Sequence, residues 1–331
     1  MKQIYVIGVD ISKSKIDCAL MSIDLNLLKE KEVANTDLKV KAFLSKLLKE
    51  LKTESSSVLV CCENTGIYNR PLERVCKELG IDLWVEHALK IKRASTDMRG
   101  KDDRKDAIRI AEYAIRYQDK QVLYQEPSKI VKELDNQIKI RTTLMDKKTA
   151  IENQLREAKS HDYEEYRALN EGYKLVLKAI TKSILKAELK IKELIKEEEE
   201  ISLNIELITS IPGVGLQNAI NMVIATNNFK AFSSAKHLAC YAGVVPFQNQ
   251  SGTIVKRARI SKMANKTLKK LLHMAAMAAI RVDMEIKTYY KRKVEEGKNK
   301  MSVLNAIRNK LVHRIMAVLK RKTPYVELNC Y

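Results

Sequence analysis

The sequence predicts an α/β domain at the N-terminus followed by an all-α remainder. Short apolar runs alternate with amphipathic ones over the first 122 residues, which is typical of strands and helices in alternation. Proline and glycine are then almost absent up to residue 207, and the last third again shows helical spacing. Because 331 residues with 45% hydrophobic content can form several cores, we predict three domains: residues 1–122, 123–207 and 208–331.

Five strands and three helices are expected in the first domain. The strands are residues 3–10, 16–23 and 27–35, then VLVCCE and IDLWVEH. The second helix has Pro71 near its start and Gly80 just past its end, where each residue type is favoured. Three meandering strands followed by alternating helix and strand is the element order of a ribonuclease H-like domain.

The middle of the chain predicts two long helices in an antiparallel coiled-coil hairpin that serves as an assembly or spacer element. The polar segment KSHDYEEY and Gly172 mark the expected break between them. Further on, SIPGVG predicts a turn between helices, and FQNQSGTIVKRARISK predicts a loop or short hairpin. The remaining helices are expected over residues 234–246, 264–281 and about 300–321.

Charge points to a nucleic-acid partner. The net charge is +20, and residues 206–331 hold 22 Lys and Arg against 6 Asp and Glu. Such a local excess is the electrostatic footprint of nucleic-acid contact, although a solvated basic surface is the plain alternative. No apolar run is long enough to cross a membrane and no signal peptide is evident, so we expect a cytoplasmic protein without a membrane partner.

Four acidic residues are candidates for one cation site. Asp10 and Glu63 end apolar strands, and Asp103 and Asp106 share a helix face one turn apart. Carboxylates at strand ends suit Mg²⁺, which prefers oxygen ligands and supports phosphodiester chemistry. Taken singly, each is better explained as a strand-end acid or a helix N-terminal acid, but the set together is not. Asp102 could replace Asp103 on geometry alone.

Ser251 is a second candidate centre. The serine precedes Gly252, which leaves room for a phosphate, and clustered cations follow: Lys256, Arg257, Arg259, Lys262 and Lys266. A serine hydroxyl is a weak nucleophile that needs a base, a metal or nearby cations. On composition alone Ser251 is simply a turn residue.

Two further groups are candidates for nucleic-acid contacts. Gly213 and Gly215 in IPGVG resemble the turn of a helix-hairpin-helix motif, where backbone N–H groups face a phosphate; an ordinary turn between helices is the alternative. A second basic set flanks the acidic candidates: Lys92, Arg93, Arg99, Lys101 and Arg104.

The motifs together resemble the DEDD-type insertion-sequence transposases. They run through the chain in order as GVDISK, ENTGIY, GKDDRKDA, IPGVG, AGVVP and SGTIVKRARISKMANKTLKKLL. The resemblance implies a RuvC-like N-terminal domain and a C-terminal transposase domain bearing a catalytic serine.

The resemblance also implies roles for these residues. Asp10, Glu63, Asp103 and Asp106 would form a tetrad for Mg²⁺, with Mn²⁺ as a possible substitute, and Ser251 would link covalently to a DNA strand. The implied partners are double-stranded donor and target DNA, a noncoding bridge RNA and further copies of the chain, from dimer to tetramer. One departure is Asp102, which stands where family members usually carry Thr, and it leaves the choice between 102 and 103 open.

The resulting hypothesis is an RNA-guided DNA recombinase that acts in the cytoplasm at the nucleoid. A hydrolytic junction endonuclease, in which metal-bound water attacks and Ser251 is structural, is the first alternative. A non-catalytic nucleic-acid scaffold is the second. An ATPase of the actin or sugar-kinase type ranks last, because it normally has Gly soon after the first Asp, where this chain has ISK.

Overall fold

The structure is a computed structural model that describes residues 3–94, 103–230, 232, 234–251, 254–260 and 263–326. Side chains are described throughout these ranges except at 103–104, 247–251 and 254–260. The chain divides into two compact units, residues 1–126 and 127–331. The three-domain division stays a prediction.

The first unit is built on one five-stranded mixed sheet. Its strands are β1 (Tyr5–Ile11), β2 (Lys15–Ser22), β3 (Leu27–Ala34), β4 (Val58–Glu63) and β5 (Asp82–Glu86). Their order in the sheet is β3-β2-β1-β4-β5. The meander β1–β2–β3 is antiparallel, whereas β4 and β5 run parallel to β1. This topology confirms the predicted ribonuclease H-like domain.

Helices cover both faces of this sheet. They are α1 (Asp37–Leu51), α2 (Arg70–Leu79), α3 (Ala88–Ala94) and α4 (Asp103–Arg116). Apolar residues of α1 and α2 pack on the face that carries Ile7 and Val9, while α3 and α4 pack on the face that carries Val6 and Trp84. The edge strand β3 is mostly exposed, and its alternating Lys and Glu side chains discourage further strand pairing. The short helix α3 was not predicted.

The second unit begins with the predicted helical hairpin. Helix α5 (Lys129–His161) and helix α6 (Tyr163–Glu197) are antiparallel, because Arg141 pairs with Glu188 while Gln154 contacts Tyr173. Asp162 separates them, and its side chain accepts from the first backbone N–H groups of α6. The prediction that Gly172 marks the break is wrong, since it lies inside α6. The Asp162 cap starts that helix before Gly172 is reached.

The rest of this unit is mainly helical. Its elements are α7 (Glu199–Thr209), α8 (Leu216–Thr226), α9 (Ala235–Tyr241), β6 (Pro246–Ser251), β7 (Ile254–Ile260), α10 (Lys266–Val282), α11 (Met284–Glu295) and α12 (Lys300–Arg321). Strands β6 and β7 form the short hairpin, one of the two predicted alternatives. The helix expected over 234–246 ends at Tyr241, because Gly243 adopts a left-handed backbone with φ of 66°. Helix α11 was not predicted, and Asp283 caps its start.

One hydrophobic core joins these helices to the open end of the hairpin. Val131 and Leu134 of α5 and Ile191 of α6 belong to the same buried cluster as Leu272 of α10 and Ile315 of α12. The hairpin is therefore anchored at this end by the helices that follow it. Among the described residues, no helix combines the length and the apolar character that spanning a membrane requires.

Candidate active site

Carboxylates form a row across the sheet of the first unit. Asp10 lies opposite Asp17 in the β1–β2 pairing, Asp17 opposite Glu32, and Glu63 opposite Glu86 in the β4–β5 pairing. Because Val9 pairs with Cys62, the next residues, Asp10 and Glu63, are neighbours at the ends of two parallel strands. Side chains alternate between the faces of a sheet, so the row lies on the face that α4 covers.

Gly8 sets how closely α4 approaches this row. A Cβ atom at Gly8 would lie 2.1 Å from the carbonyl oxygen of Ala107 and 2.4 Å from the backbone nitrogen of Ala111. The helix backbone therefore rests directly on β1, two residues before Asp10. This contact holds the N-terminal part of α4 against β1, and Asp106 of that part acts on the Glu63 carboxyl.

The electrostatics of Glu63 reflect the same convergence. Burial raises the pKa of its half-buried carboxyl, and the negative charges of Asp10 and Asp106 raise it further. Two of the other predicted ligands, Asp10 and Asp106, are therefore close enough to act on the Glu63 carboxyl. A divalent cation between them would remove this repulsion, and hard oxygen donors are the ligands that Mg²⁺ takes.

The turn after Glu63 is held by a buried amide. Asn69 is 1% exposed, and its Nδ2 donates to the backbone oxygen of Glu63 at 3.0 Å. Its Oδ1 accepts from the backbone N–H of Thr65 at 3.0 Å. These two bonds fix the strand end, so the motif ENTGIYN positions the Glu63 carboxylate.

Lysines neutralise the outer carboxylates of the row. Lys15 Nζ lies 3.2 Å from Asp17 Oδ2 and 2.9 Å from Glu32 Oε2. At the other end of the row, Lys90 Nζ lies 3.0 Å from Glu86, a carboxylate that is 6% exposed. The carboxylates at both ends of the row are therefore paired with lysines.

Glu86 also ties α4 to the sheet. The hydroxyl of Tyr113, on α4, donates to Glu86 Oε2 at 3.2 Å, and the backbone N–H of His87 donates to Oε1 at 2.7 Å. The Glu86 carboxylate raises the pKa of Tyr113, although burial has the larger effect. The phenol therefore stays protonated and remains a donor.

The predicted tetrad is not assembled as a ready metal cage in the described part of the chain. There, no group of three His, Cys, Asp or Glu side chains is placed to hold a metal ion. Asp106 pairs with Arg109 at 2.6 Å, so it would have to exchange that guanidinium for a cation. The Asp103 side chain and the whole of Asp102 lie outside the described residues, and the choice between them stays a prediction.

The basic residues predicted beside this site are only partly described. Lys92 and Arg93 are exposed in the last turn of α3, and Arg104 belongs to the first turn of α4. The Arg104 side chain, Arg99 and Lys101 lie outside the described residues. Contact of these residues with nucleic acid stays a prediction.

The two glycines of IPGVG have different surroundings. Gly213 has φ of 86°, and a Cβ there would lie 2.5 Å from the backbone nitrogen of Ala279 in α10. It therefore serves close packing between helices. Gly215 precedes α8 and has no atom within 4 Å of a built Cβ, so close packing does not account for it and phosphate contact there stays a prediction.

Ser251 is the last residue of β6 and pairs with Ile254, which places it at the tip of the hairpin. Lys256, Arg257 and Arg259 follow in β7. The side chains of these four residues, and Gly252 and Lys262 entirely, lie outside the described residues. Lys266 is exposed at the first position of α10, after the Asn265 cap.

Comparison with known proteins decides the family. A family model for DEDD transposases of the IS110 type matches residues 7–158, and one described as "Transposase IS116/IS110/IS902 family" matches residues 205–291. The "Pilin gene-inverting protein" of Moraxella bovis is 30% identical over 241 residues, 70% of each chain. The chain belongs to the IS110 family of transposases. Transposases are enzymes that act on DNA, so membership of this family confirms the predicted class of activity.

Other relatives are similar to this transposase. The "Transposase for insertion sequence element IS1111A" of Coxiella burnetii is 29% identical over 255 residues, 68% of each chain. Among solved structures, T. thermophilus RuvC in complex with a Holliday junction substrate matches 37% of the transposase and 98% of its own chain. That match has 13% identity and a TM-score of 0.29.

Sequence reasoning missed several residues that position the site of the transposase. Gly8 was part of the quoted motif GVDISK but was given no role, and Asp17 lay within an apolar strand where an acid is unusual. Glu86 ended a strand just as Glu63 does, so its place in the row was readable from the pattern. The lysines that neutralise these acids gave no signal, because their pairing depends on strand register.

Proposed function

We propose that this transposase is a metal-dependent DNA recombinase that cuts and rejoins DNA strands at the acidic site. The observation that carries the proposal is the place of Asp10 and Glu63 at the ends of two adjacent parallel strands, where burial and the charges of Asp10 and Asp106 raise the pKa of Glu63. Unfavourable charge of this kind at strand ends is typical of a site that binds a divalent cation.

Asp10, Glu63, Asp106 and Asp103 would hold Mg²⁺, for which Mn²⁺ can substitute. The ion supplies charge neutralisation at the scissile phosphate. The carboxylates set its position, the Asn69 turn fixes Glu63, and the Gly8 contact fixes the distance of α4. Asp106 would exchange its ion pair with Arg109 for the cation, and the Arg109 guanidinium would remain beside the site as a positive charge.

Ser251 is the proposed nucleophile. Its Oγ attacks the phosphorus, a phosphoserine bond forms, and the bond from phosphorus to the leaving deoxyribose oxygen breaks. The serine proton passes to that oxygen, which becomes a free hydroxyl. A hydroxyl of the partner duplex later attacks the phosphoserine and releases Ser251, so each step conserves bonds and electrons.

The partners follow from the family resemblance and from charge. A bridge RNA pairs with donor and target DNA, and two to four copies of the chain assemble so that one copy's serine serves another's acidic site. Phosphate contacts come from the two basic sets named in the sequence analysis and from the N-terminus of helix α8, which Gly215 precedes. The Moraxella relative is named as a gene-inverting protein, and inversion of a DNA segment requires strands to be cut and rejoined, which supports the same chemistry.

The deciding experiment compares Ser251→Ala with Ser183→Ala, a change at an exposed serine on the hairpin helix α6. Each variant is purified with its bound RNA, the RNA is sequenced, and strand exchange is measured on donor and target duplexes with Mg²⁺. We expect Ser251→Ala to bind DNA but to give neither exchange nor a covalent adduct on denaturing gels. Ser183→Ala should behave as the parent.

Three outcomes would overturn parts of the proposal. If Ser251→Ala recombines, the nucleophile is wrong. If DNA is cut with no adduct in the parent, the transposase is a hydrolytic junction endonuclease. If Asp10→Asn changes nothing, the acidic site is not catalytic and the chain is a scaffold.

A further inference from the structure

A cavity of about 720 Å³ opens in the second unit between α7, the end of α8 and α12. None of the residues discussed as metal, serine or phosphate candidates lines it. Its volume lies within the range of small-molecule sites, roughly 300 to 1,000 Å³. The cavity is therefore large enough for a small ligand and is separate from the acidic site and from Ser251.

One wall of the cavity carries a buried hydrogen-bond donor. Asn204 and Asn228 are 3% and 5% exposed, and Asn204 Nδ2 donates to Asn228 Oδ1 at 2.9 Å. Lys322 Nζ lies 3.5 Å from Asn204 Oδ1, so Lys322 donates to Asn204, which in turn donates to Asn228. Asn228 Nδ2 has no acceptor among the described residues. Because an unsatisfied buried donor costs about 1 to 3 kcal/mol, a ligand acceptor here would be stabilising.

The same wall is built from strained backbone. Asn227, Asn228 and Phe229 have φ of 49°, 54° and 64°, three successive residues in the left-handed region. Asparagine tolerates this conformation, but an aromatic residue there costs on the order of 1 kcal/mol or more. Thr226 Oγ1 accepts from the Phe229 N–H at 2.9 Å and holds the segment in place. The Phe229 side chain is part of the cavity lining.

The remaining lining is apolar at one side and cationic at the rim. Met316 of α12 lies with Phe229 on the lining, and Lys230, Lys320 and Lys322 are exposed there beside a single acid, Glu200. A flat apolar surface suits the face of a nucleobase, the Asn228 amide suits an acceptor on its edge, and lysines suit phosphates. All three chemistries occur together in a nucleotide.

We propose that this cavity binds one unpaired nucleotide of a nucleic-acid strand. The base lies against Phe229 and Met316, an acceptor on its edge takes the hydrogen bond from Asn228 Nδ2, and the flanking phosphates contact Lys230 and Lys320. The site holds a strand that is not paired at this position, because a base within a duplex cannot enter a cavity. It requires neither the metal site nor Ser251.

Photocrosslinking tests the proposal through binding alone. The probe is a short single strand with one 5-iodouracil, prepared as DNA and as RNA, and the crosslinked peptide is identified by mass spectrometry. We expect a crosslink to Phe229 in the parent. Ala317→Phe fills the cavity from an exposed position on α12 and should lower the yield at least about fivefold, the loss of one stacking contact.

The matched control is Ala306→Phe, which adds the same ring at an exposed alanine of α12 outside the cavity. A second variant, Asn228→Asp, removes the amide donor and should also lower the yield. Equal crosslinking in Ala317→Phe and Ala306→Phe would overturn the proposal, as would a crosslink mapped elsewhere. Competition by a free mononucleotide at equal concentration would overturn the assignment to a strand. Comparison of the DNA and RNA probes identifies which strand binds.

Discussion

Replacing Gly8 by alanine should displace α4 from the sheet. The added Cβ would lie 2.1 Å from Ala107 O, 2.4 Å from Ala111 N and 2.9 Å from Ala111 Cβ. Favourable contacts of carbon begin at about 3.5 Å, so the helix must retreat by about 1 Å. The two closest atoms belong to the backbone, and therefore no side-chain rearrangement at Ala107 or Ala111 relieves the clash.

The expected loss of stability for Gly8→Ala is about 3 kcal/mol, the upper end for overpacking, because a whole helix has to move. Trp84 is the only tryptophan in the chain, is 1% exposed and packs in the core beneath α4, with its ring centroid 5.4 Å from that of Tyr113. Its fluorescence during urea unfolding therefore reports this side of the sheet. If the proposed function is right, the same shift should lower strand exchange about 100-fold, as misplacement by about 1 Å can.

The matched control is Gly172→Ala in α6, where a built Cβ meets nothing within 4 Å. That change should leave the Trp84 transition unaltered and stabilise the hairpin by about 1 kcal/mol, the difference in helix propensity. If Gly8→Ala unfolds within about 0.5 kcal/mol of the parent, the close contact does not fix α4 and the reasoning fails.

Three further changes probe charge, anchoring and packing. The folded pKa of Glu63 lies above its ordinary value of 4.5, so its ionised form destabilises the metal-free fold at neutral pH and the penalty disappears below the ordinary value. Glu63→Gln should therefore raise the Trp84-detected Tm at neutral pH without Mg²⁺ and leave it unchanged near the ordinary pKa; equal effects at both would contradict this. Tyr113→Phe removes the 3.2 Å bond to Glu86 and should cost about 1 kcal/mol in urea unfolding, because Lys90 still pairs with Glu86; a loss above about 3 kcal/mol would mean that the phenol does more. Gly213→Ala should destabilise the second unit by at least about 2 kcal/mol, whereas Gly215→Ala should change little, and similar losses by far-UV circular dichroism would refute the distinction.

Elements with a strong local signal were predictable. The strands of the first unit and the helix that ends at Gly80 follow from apolar spacing and terminal residues, which act within a few positions of the chain. Gly172 misled for the same reason, since a lone glycine weakens a helix without ending it when a cap such as Asp162 has already started it. Helix α11 was not predicted because the prediction followed apolar spacing, whereas the start of this helix is set by the Asp283 cap.

The sequence by itself determined which acids end the strands, where positive charge is concentrated and which family the motifs resemble. Only the tertiary structure decided which carboxylates are neutralised, that Gly8 and Gly213 are needed for close helix contacts, and that Asn228 and Phe229 line a cavity. The reason is physical: periodicity and capping act between neighbours in the chain. Burial, repulsion and close packing depend on distances between residues far apart in the chain, which folding alone sets.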